Sequence, residues 1–345
     1  MELPKFFGID IGKSTTKVVL AEHGKVPKIT RMFSFQTGEG SLASDDPVLR
    51  SDLAVRIRDA VNGAKLETRK CVLALPEPAV FNRLLTFPDL KEKELEEAIH
   101  WNAKQFVPIP IEEVQMDWIK TAELVVNGKK MIQLLLVAAP KKIINQAMAI
   151  FKEAEIELFA IETEAVATAR TIAQNYPAGE PLLLLDIGSS GTDLSVVSGG
   201  KLIFSQSLGT GSDAMTLAIS SAFSLEKGQA EQYKVKFGLL QGQADGKIYN
   251  ALDPVMQIIT SEVTKTINFF QSKYQQSTPQ KILLLGEGAR IPGLSEYLGG
   301  KLSLPSQLAD LTANITFDQT VESEIIATGS LPGFAVAMGL ALKTN

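Results

Sequence analysis

The 345-residue sequence predicts an α/β protein made of two related halves that face each other across a shared anion-binding cleft. Two observations carry this. The first is a duplicated motif. Phe6-Phe7-Gly8-Ile9-Asp10-Ile11-Gly12-Lys13-Ser14-Thr15-Thr16-Lys17-Val18-Val19-Leu20 is an apolar strand ending on Asp-Ile-Gly, a small polar turn and a returning apolar strand, and the stretch from Leu182, LLLLDIGSSGTDLSVV, repeats all three parts. The second is that runs with strand character alternate along the chain with runs of helical spacing. The wide separation of the two copies excludes a short tandem array and points to two related subdomains.

A tight Gly/Ser hairpin leaves backbone N–H groups unpaired and directed outward, which suits it to hold a phosphate. Asp186 cannot bind phosphate itself, because like charges repel. Its expected role, shared by Asp10, is to orient a hydrated divalent cation that bridges to a nucleotide. One such hairpin is equally consistent with an ordinary turn, since Asp, Gly and Ser are common turn formers. Two copies favour a clamp that grips one polyphosphate from both sides.

Composition narrows the function classes. Hydrophobic residues are 45% and charged residues 21%, the balance of a soluble globular protein, and the length allows two or more domains with substantial cores. A net charge of −5 gives no reason to expect a nucleic-acid partner. The single cysteine, Cys71, excludes an internal disulfide and an all-cysteine metal site. It opens the apolar run Cys71 to Leu75 and reads as a small buried hydrophobe rather than a nucleophile. His23 and His100 are the only histidines, too few for a histidine-rich metal site and poor material for a Ser-His-Asp triad. A strand pattern begins directly after Met1 to Lys5, with no signal-peptide pattern. No apolar run approaches the ~20 residues that span a bilayer. The expected location is cytoplasmic, with any membrane association through a partner.

In chain order, Phe6 to Ile9, Thr16 to Ala21 and Ile29 to Phe35 read as a three-strand meander. Lys13 and Lys17 fit either phosphate contact or a solvated strand. Leu49 to Lys65 has helical spacing through Leu53, Ile57 and Val61, and Cys71 to Leu75 and Val80 to Thr86 are strands. Lys91 to Phe106 is an amphipathic helix whose charge run reads as a solvated face. Met116 to Val125 and Lys130 to Ala139 pair across Asn127-Gly128. A helix over Lys141 to Ala154, a strand over Ile156 to Ile161 and a helix from Glu162 to about Asn175 follow, broken at Tyr176-Pro177-Ala178-Gly179. After the second hairpin, helices are expected from about Asp213, over Ser224 to Lys234 with a capped start, and over Pro254 to Tyr274. Gly238 to Lys247 reads as a loop, Lys281 to Leu285 as a buried strand, and the Ala/Gly-rich Gly333 to Lys343 as a closely packed last helix.

These motifs resemble those of the actin-like ATPase superfamily of sugar kinases, heat-shock 70 proteins and actin. Within it the chain is similar, over essentially its whole length, to the PilM family of type IV pilus assembly proteins, related to the cell-division protein FtsA. Asp10-Ile11-Gly12 matches the first phosphate motif, Asp186-Ile187-Gly188 with Thr192-Asp193 the second, and Ile282 to Ala289 the adenosine motif. Ala230-Glu231-Gln232-Tyr233-Lys234 resembles the segment that meets ribose and adenine. Leu73 to Arg83, the Glu-rich helix and Phe106 to Glu113 resemble the PilM insertion, and the ending Ala337 to Leu342 is also similar. FtsA continues into a basic amphipathic membrane-targeting helix, and nothing like it follows Lys343 here.

The resemblance implies an actin-like ATPase fold, two ribonuclease-H-like domains flanking a nucleotide cleft, with a small inserted α+β subdomain. Residues 1–70 and 155–180 would form domain 1A, 71–154 the insertion, 181–223 and 255–345 domain 2A, and 224–254 the small subdomain 2B. It implies ATP with Mg²⁺ as cofactors, and at most weak ATPase activity. Asp10 and Asp186 would orient the metal. Gly12, Lys13, Ser14, Thr15 and Lys17, with Gly188, Ser189, Ser190, Gly191 and Thr192, would hold phosphates. Gly211, Glu231, Lys234, Gly286, Gly288 and Ala289 would complete the nucleotide site. Glu164 aligns with an acidic residue placed to polarise an attacking water, and is equally readable as a first-turn acid favoured by the helix dipole. The adenosine motif usually has a Gly-Gly pair. Here Glu287 separates Gly286 from Gly288, and either weakens nucleotide binding or points away. The implied partner is the cytoplasmic N-terminal tail of a PilN-like inner-membrane protein, lying in a groove near the insertion. The alternatives are an FtsA-like protein that self-associates into filaments, a sugar or acetate-type kinase, and a scaffold that has lost nucleotide.

Overall fold

The computed structural model describes residues 4–126, 128–176, 179–274 and 277–344. Asn127 of the expected Asn-Gly turn and Pro177 and Ala178 of the expected helix break lie outside them. The chain opens with three antiparallel strands, β1 (Phe7–Ile11), β2 (Thr15–Glu22) and β3 (Lys28–Gln36). Helix α1 (Pro47–Gly63) starts where Asp46 caps the Val48 amide at 2.8 Å and ends beside β4 (Lys70–Leu75), which lies parallel to β1. Strand β5 (Phe81–Pro88), helix α2 (Glu92–Ala103) and strands β6 (Val114–Val126) and β7 (Lys129–Pro140) then build a separate three-stranded sheet in the order β5-β7-β6. Helix α3 (Lys141–Glu153) returns the chain to strand β8 (Glu157–Thr163), parallel to β4, and to helix α4 (Glu164–Asn175).

The second half repeats this plan. Strands β9 (Leu182–Ile187), β10 (Thr192–Ser198) and β11 (Lys201–Leu208) form an antiparallel meander. Helices α5 (Ser212–Phe223), α6 (Lys227–Phe237) and α7 (Lys247–Lys273) lead to β12 (Lys281–Leu285), parallel to β9, then α8 (Leu294–Leu302) and β13 (Ser306–Leu308). The sheet orders are β3-β2-β1-β4-β8 and β11-β10-β9-β12-β13, a meander extended by two parallel strands in each case. The duplication read from two short motifs therefore extends to whole sheets.

The last segment corrects the expected division. Sequence assigned 255–345 as a block to the second half, but strand β14 (Thr316–Phe317) pairs with β3. After helix α9 (Gln319–Thr328), helix α10 (Ala335–Ala341) packs against β1 and α4. Small residues bring the backbones together there: a Cβ on Gly8 would lie 2.3 Å from the Ala337 carbonyl, and one on Gly339 would lie 1.8 Å from that of Ala167. The expected 71–154 insertion is likewise narrower, because β4 belongs to the first sheet and α3 packs on α1. The separate sheet spans 81–140. Helix α7 also begins ahead of Pro254, since buried Ile248 and Leu252 hold its first turns in the core.

Among the described residues no single helix is long and apolar enough to cross a membrane.

Candidate functional site

The two duplicated turns meet. Each strand before them is buried, so Asp10 and Asp186 arrive near the ends of β1 and β9 at the mouth of the cleft between the halves. In the first turn the Gly12 amide donates to the Thr15 carbonyl at 3.2 Å, and in the second the Gly188 amide donates to the Gly191 carbonyl at 2.9 Å. Corresponding threonines brace them: Thr16 shares a 2.9 Å hydrogen bond with Thr37, and Thr192 donates to the Thr210 carbonyl at 2.7 Å. Across the cleft, the Ser14 hydroxyl donates to the Ser189 hydroxyl at 3.1 Å.

A cavity of about 260 Å³ lies between the turns. Asp10, Gly12, Lys13, Ser14, Thr15, Lys17, Glu164, Asp186, Gly188, Ser189, Ser190, Gly191 and Gly286 all line it. The amides of Lys13, Ser14, Ser189 and Ser190 donate to no protein acceptor among the described residues. Unpaired amides on facing turns are the donor set a polyphosphate requires, so the residues present fit the implied nucleotide.

Other expected contacts lie behind this surface. Thr192 is buried and its hydroxyl proton is given to Thr210, which corrects its expected place among the phosphate donors. Gly211 acts by close approach: a Cβ there would lie 2.5 Å from the Gly191 amide nitrogen, and the next two amides, of Ser212 and Asp213, donate to the Gly188 and Ser189 carbonyls. Gly288 and Ala289 are buried, and a Cβ on Gly288 would meet the Ile187 side chain at 2.4 Å. Gly286, at φ +80°, leaves no room for a side chain beside the Asp186 carboxylate. Lys234 is buried with its ammonium donating to the Ser212 carbonyl at 3.1 Å and to Thr216 at 2.9 Å, and it pairs with Glu231 at 2.8 Å. Glu231 and Lys234 thus tie α6 to the start of α5, beside the cavity rather than on its wall.

The electrostatics are strongly acidic. The β1–β2 register sets Asp10 opposite Lys17, whereas the β9–β10 register sets Asp186 opposite Asp193. Burial, reinforced by Asp193, pushes the Asp186 carboxyl up to about 7. Burial does the same to Asp193, to about 6. Burial, with Asp193 and Asp10 nearby, raises Glu164 well above the carboxylate range, and burial also raises Asp10. Burial alone would lower the Lys17 ammonium, but the charges of Asp10, Glu287 and Asp186 prevail and raise it. Carboxyls held this high favour a cation among them. Among the described residues no three His, Cys, Asp or Glu side chains converge to chelate a metal directly.

Two residues of the cleft were given no site role from the sequence, Glu77 and Asp193. Glu77 is 3% exposed, accepts from Asn82 at 3.0 Å and from Ser205, and gives its own amide to the Glu164 carboxylate at 2.8 Å. It joins the cleft to β5 of the separate sheet and to β11 of the second half. Burial raises it to about 7. Asp193 stands where the first copy has Lys17, so aligning the two copies would have exposed it. Glu77, between Pro76 and Pro78, carries no sequence signal of its partners. The Glu287 carboxylate turns across the cleft, accepting from Thr15 at 3.1 Å and pairing with Lys17 at 3.2 Å.

Two matched sheets with a phosphate-type turn at the mouth of each define an actin-like ATPase fold. Structures of similar fold include MreB5 of Spiroplasma citri bound to AMPPNP, 16% identical over 95% of this chain and 99% of that one with a TM-score of 0.54. A second is the ethanolamine utilization protein EutJ from Carboxydothermus hydrogenoformans, 17% identical over 99% of this chain and 90% of that one, TM-score 0.56. The chain belongs to the family described as type IV pilus assembly protein PilM, whose profile matches residues 8–345. It is 27% identical to a chain of a PilM-PilN type IV pilus biogenesis complex, over 99% of both chains, with a TM-score of 0.83.

Proposed function

We propose that this protein is an ATP-binding scaffold of the type IV pilus inner-membrane assembly platform, in which nucleotide sets the closure of the two halves. The observation that carries the reading is the meeting of the two turns at Ser14 and Ser189, with unpaired amides on both sides. Bound ATP with Mg²⁺ would supply the charge and bridging contacts that draw the halves together. The chain's own groups supply the rest. The amides of Lys13, Ser14, Ser189 and Ser190 would hold phosphate oxygens, and Asp10 and Asp186 would orient the metal's water. Lys17 offsets charge on the first half. Glu231 and Lys234 shape the ribose and base side through α5 and α6. Glu164, anchored by the Glu77 amide, would accept a proton from an attacking water when its own carboxyl is deprotonated. Self-association is a further expectation of the fold class.

The partner is a PilN-like cytoplasmic tail, through which the protein is held at the inner membrane from the cytoplasmic side. A cavity of about 650 Å³ separates the first sheet from the three-stranded sheet, with Met116, Trp118, Ile119, Val137, Ile161 and Val166 on its wall. Strands β8 and β6 end their sheets on either side, so among the described residues each offers an unpaired backbone edge to an extended peptide.

Calorimetry with Mg-ATP tests the cleft: wild type binds and Asp186→Ala does not, while no heat from either protein refutes the reading. For the groove, fluorescence anisotropy with a labelled tail peptide should show affinity about tenfold weaker for Ile119→Asp, a half-exposed position.

A further inference from the structure

Glu287 leaves the turn after β12, on the second half, and ends on β2 of the first. Its two partners, Thr15 and Lys17, are groups assigned above to the phosphates. The surroundings are built to let it pass. Gly286 fixes the base of the turn by donating to the Pro332 carbonyl at 3.0 Å. Gly333 leaves the path open, since a Cβ there would lie 3.1 Å from the Glu287 Cγ and 3.5 Å from the Lys17 Cε. The two ends of the ion pair differ in exposure, 12% for the Lys17 side chain and 56% for that of Glu287. Lys17 is therefore held in place among Asp10, Asp186 and Glu287, and Glu287 is the partner that can leave for water. A pair with one end in solvent is weakly held and easily exchanged.

We propose that Glu287 is a built-in stand-in for the nucleotide's anion: its carboxylate occupies Lys17 and Thr15 and clasps the two halves, and an incoming polyphosphate must expel it. This rests on the reading of the cleft as a nucleotide site. Glu287 then sets the affinity of the site, because binding costs the clasp and the carboxylate repels phosphate until it swings out. It also links occupancy to the spacing of the halves, since the same contact spans both.

Two measurements on the full chain test this. Without nucleotide, spin labels at the exposed positions Lys25→Cys and Gln241→Cys report the distance between the halves. Glu287→Gln and Glu287→Ala should each lengthen or broaden that distribution, and an unchanged distribution in both overturns the clasp. Calorimetry with Mg-ATP should show both variants binding about fivefold tighter or better than wild type. That gain should vanish in Lys17→Met. Wild type that binds Mg-ATP, with both variants binding equally or more weakly, sinks this proposal alone. No heat from any of the proteins sinks the nucleotide reading beneath it.

Discussion

Lys17 and Asp193 occupy the same register position in the two hairpins, Lys17 opposite Asp10 and Asp193 opposite Asp186. The duplicated frame is therefore charge-asymmetric. The first hairpin neutralises its own aspartate, whereas the second sets two carboxylates against each other. The paired acids of the second hairpin make it the more demanding of a cation.

The asymmetry predicts how stability depends on pH. Asp186 and Glu77 at about 7 and Asp193 at about 6 lie above the values they have unfolded, so the folded state holds more protons. Their stabilisation is complete below about pH 4 and is lost as pH rises through 6 and 7. On account of these groups, the melting temperature of the metal-free protein should fall between pH 5 and 8. Asp193→Asn should flatten that fall and stabilise the protein at pH 8 by roughly 1 kcal/mol. A steeper fall in the variant would count against this account.

Chelation of the divalent cation should weaken nucleotide binding by about a hundredfold, because a bare polyphosphate would meet Asp10, Asp186 and Asp193 with only partial compensation from Lys17. Titrating ATP calorimetrically with and without excess EDTA measures the ratio.

Glu164→Gln should leave Mg-ATP affinity within about threefold while abolishing any hydrolysis, because the amide keeps its hydrogen bond from Glu77 but accepts no proton from water. Single-turnover assays beside calorimetry separate the two effects.

Glu77→Ala should cost roughly 2–4 kcal/mol, since it strands the Asn82 and Ser205 donors in a buried junction. Urea denaturation of both proteins checks this.

Gly339→Ala should destabilise by several kcal/mol, because the new methyl would lie 1.8 Å from the Ala167 carbonyl and α10 would have to back away from α4. Thermal melting is the readout.

Much of the frame was legible because its signals are local. An apolar strand, Asp-Ile-Gly and a polar turn are contiguous, and their repetition was enough to place Asp10, Asp186 and both turns on one cleft. The Ala/Gly richness of the last helix foretold its close packing. The unread parts depend on distant partners. Strand β14 is two residues long and has no period of its own, so its return to β3 left no pattern. Glu77 looks like a turn residue until Asn82 and Ser205 close on it. The direction of Glu287 is set by Gly333 and Lys17, each far from it in the chain.

The return of the C-terminal segment to the first sheet has a mechanical consequence. The polypeptide crosses from the first half after α4 and comes back before β14, so the second half is tethered by two backbone strands rather than one. A double tether resists twisting and sliding, and leaves rotation about the line joining the two crossings as the soft motion. Small displacements at the turns would then become large ones at the outer rims, as in the jaws of pliers.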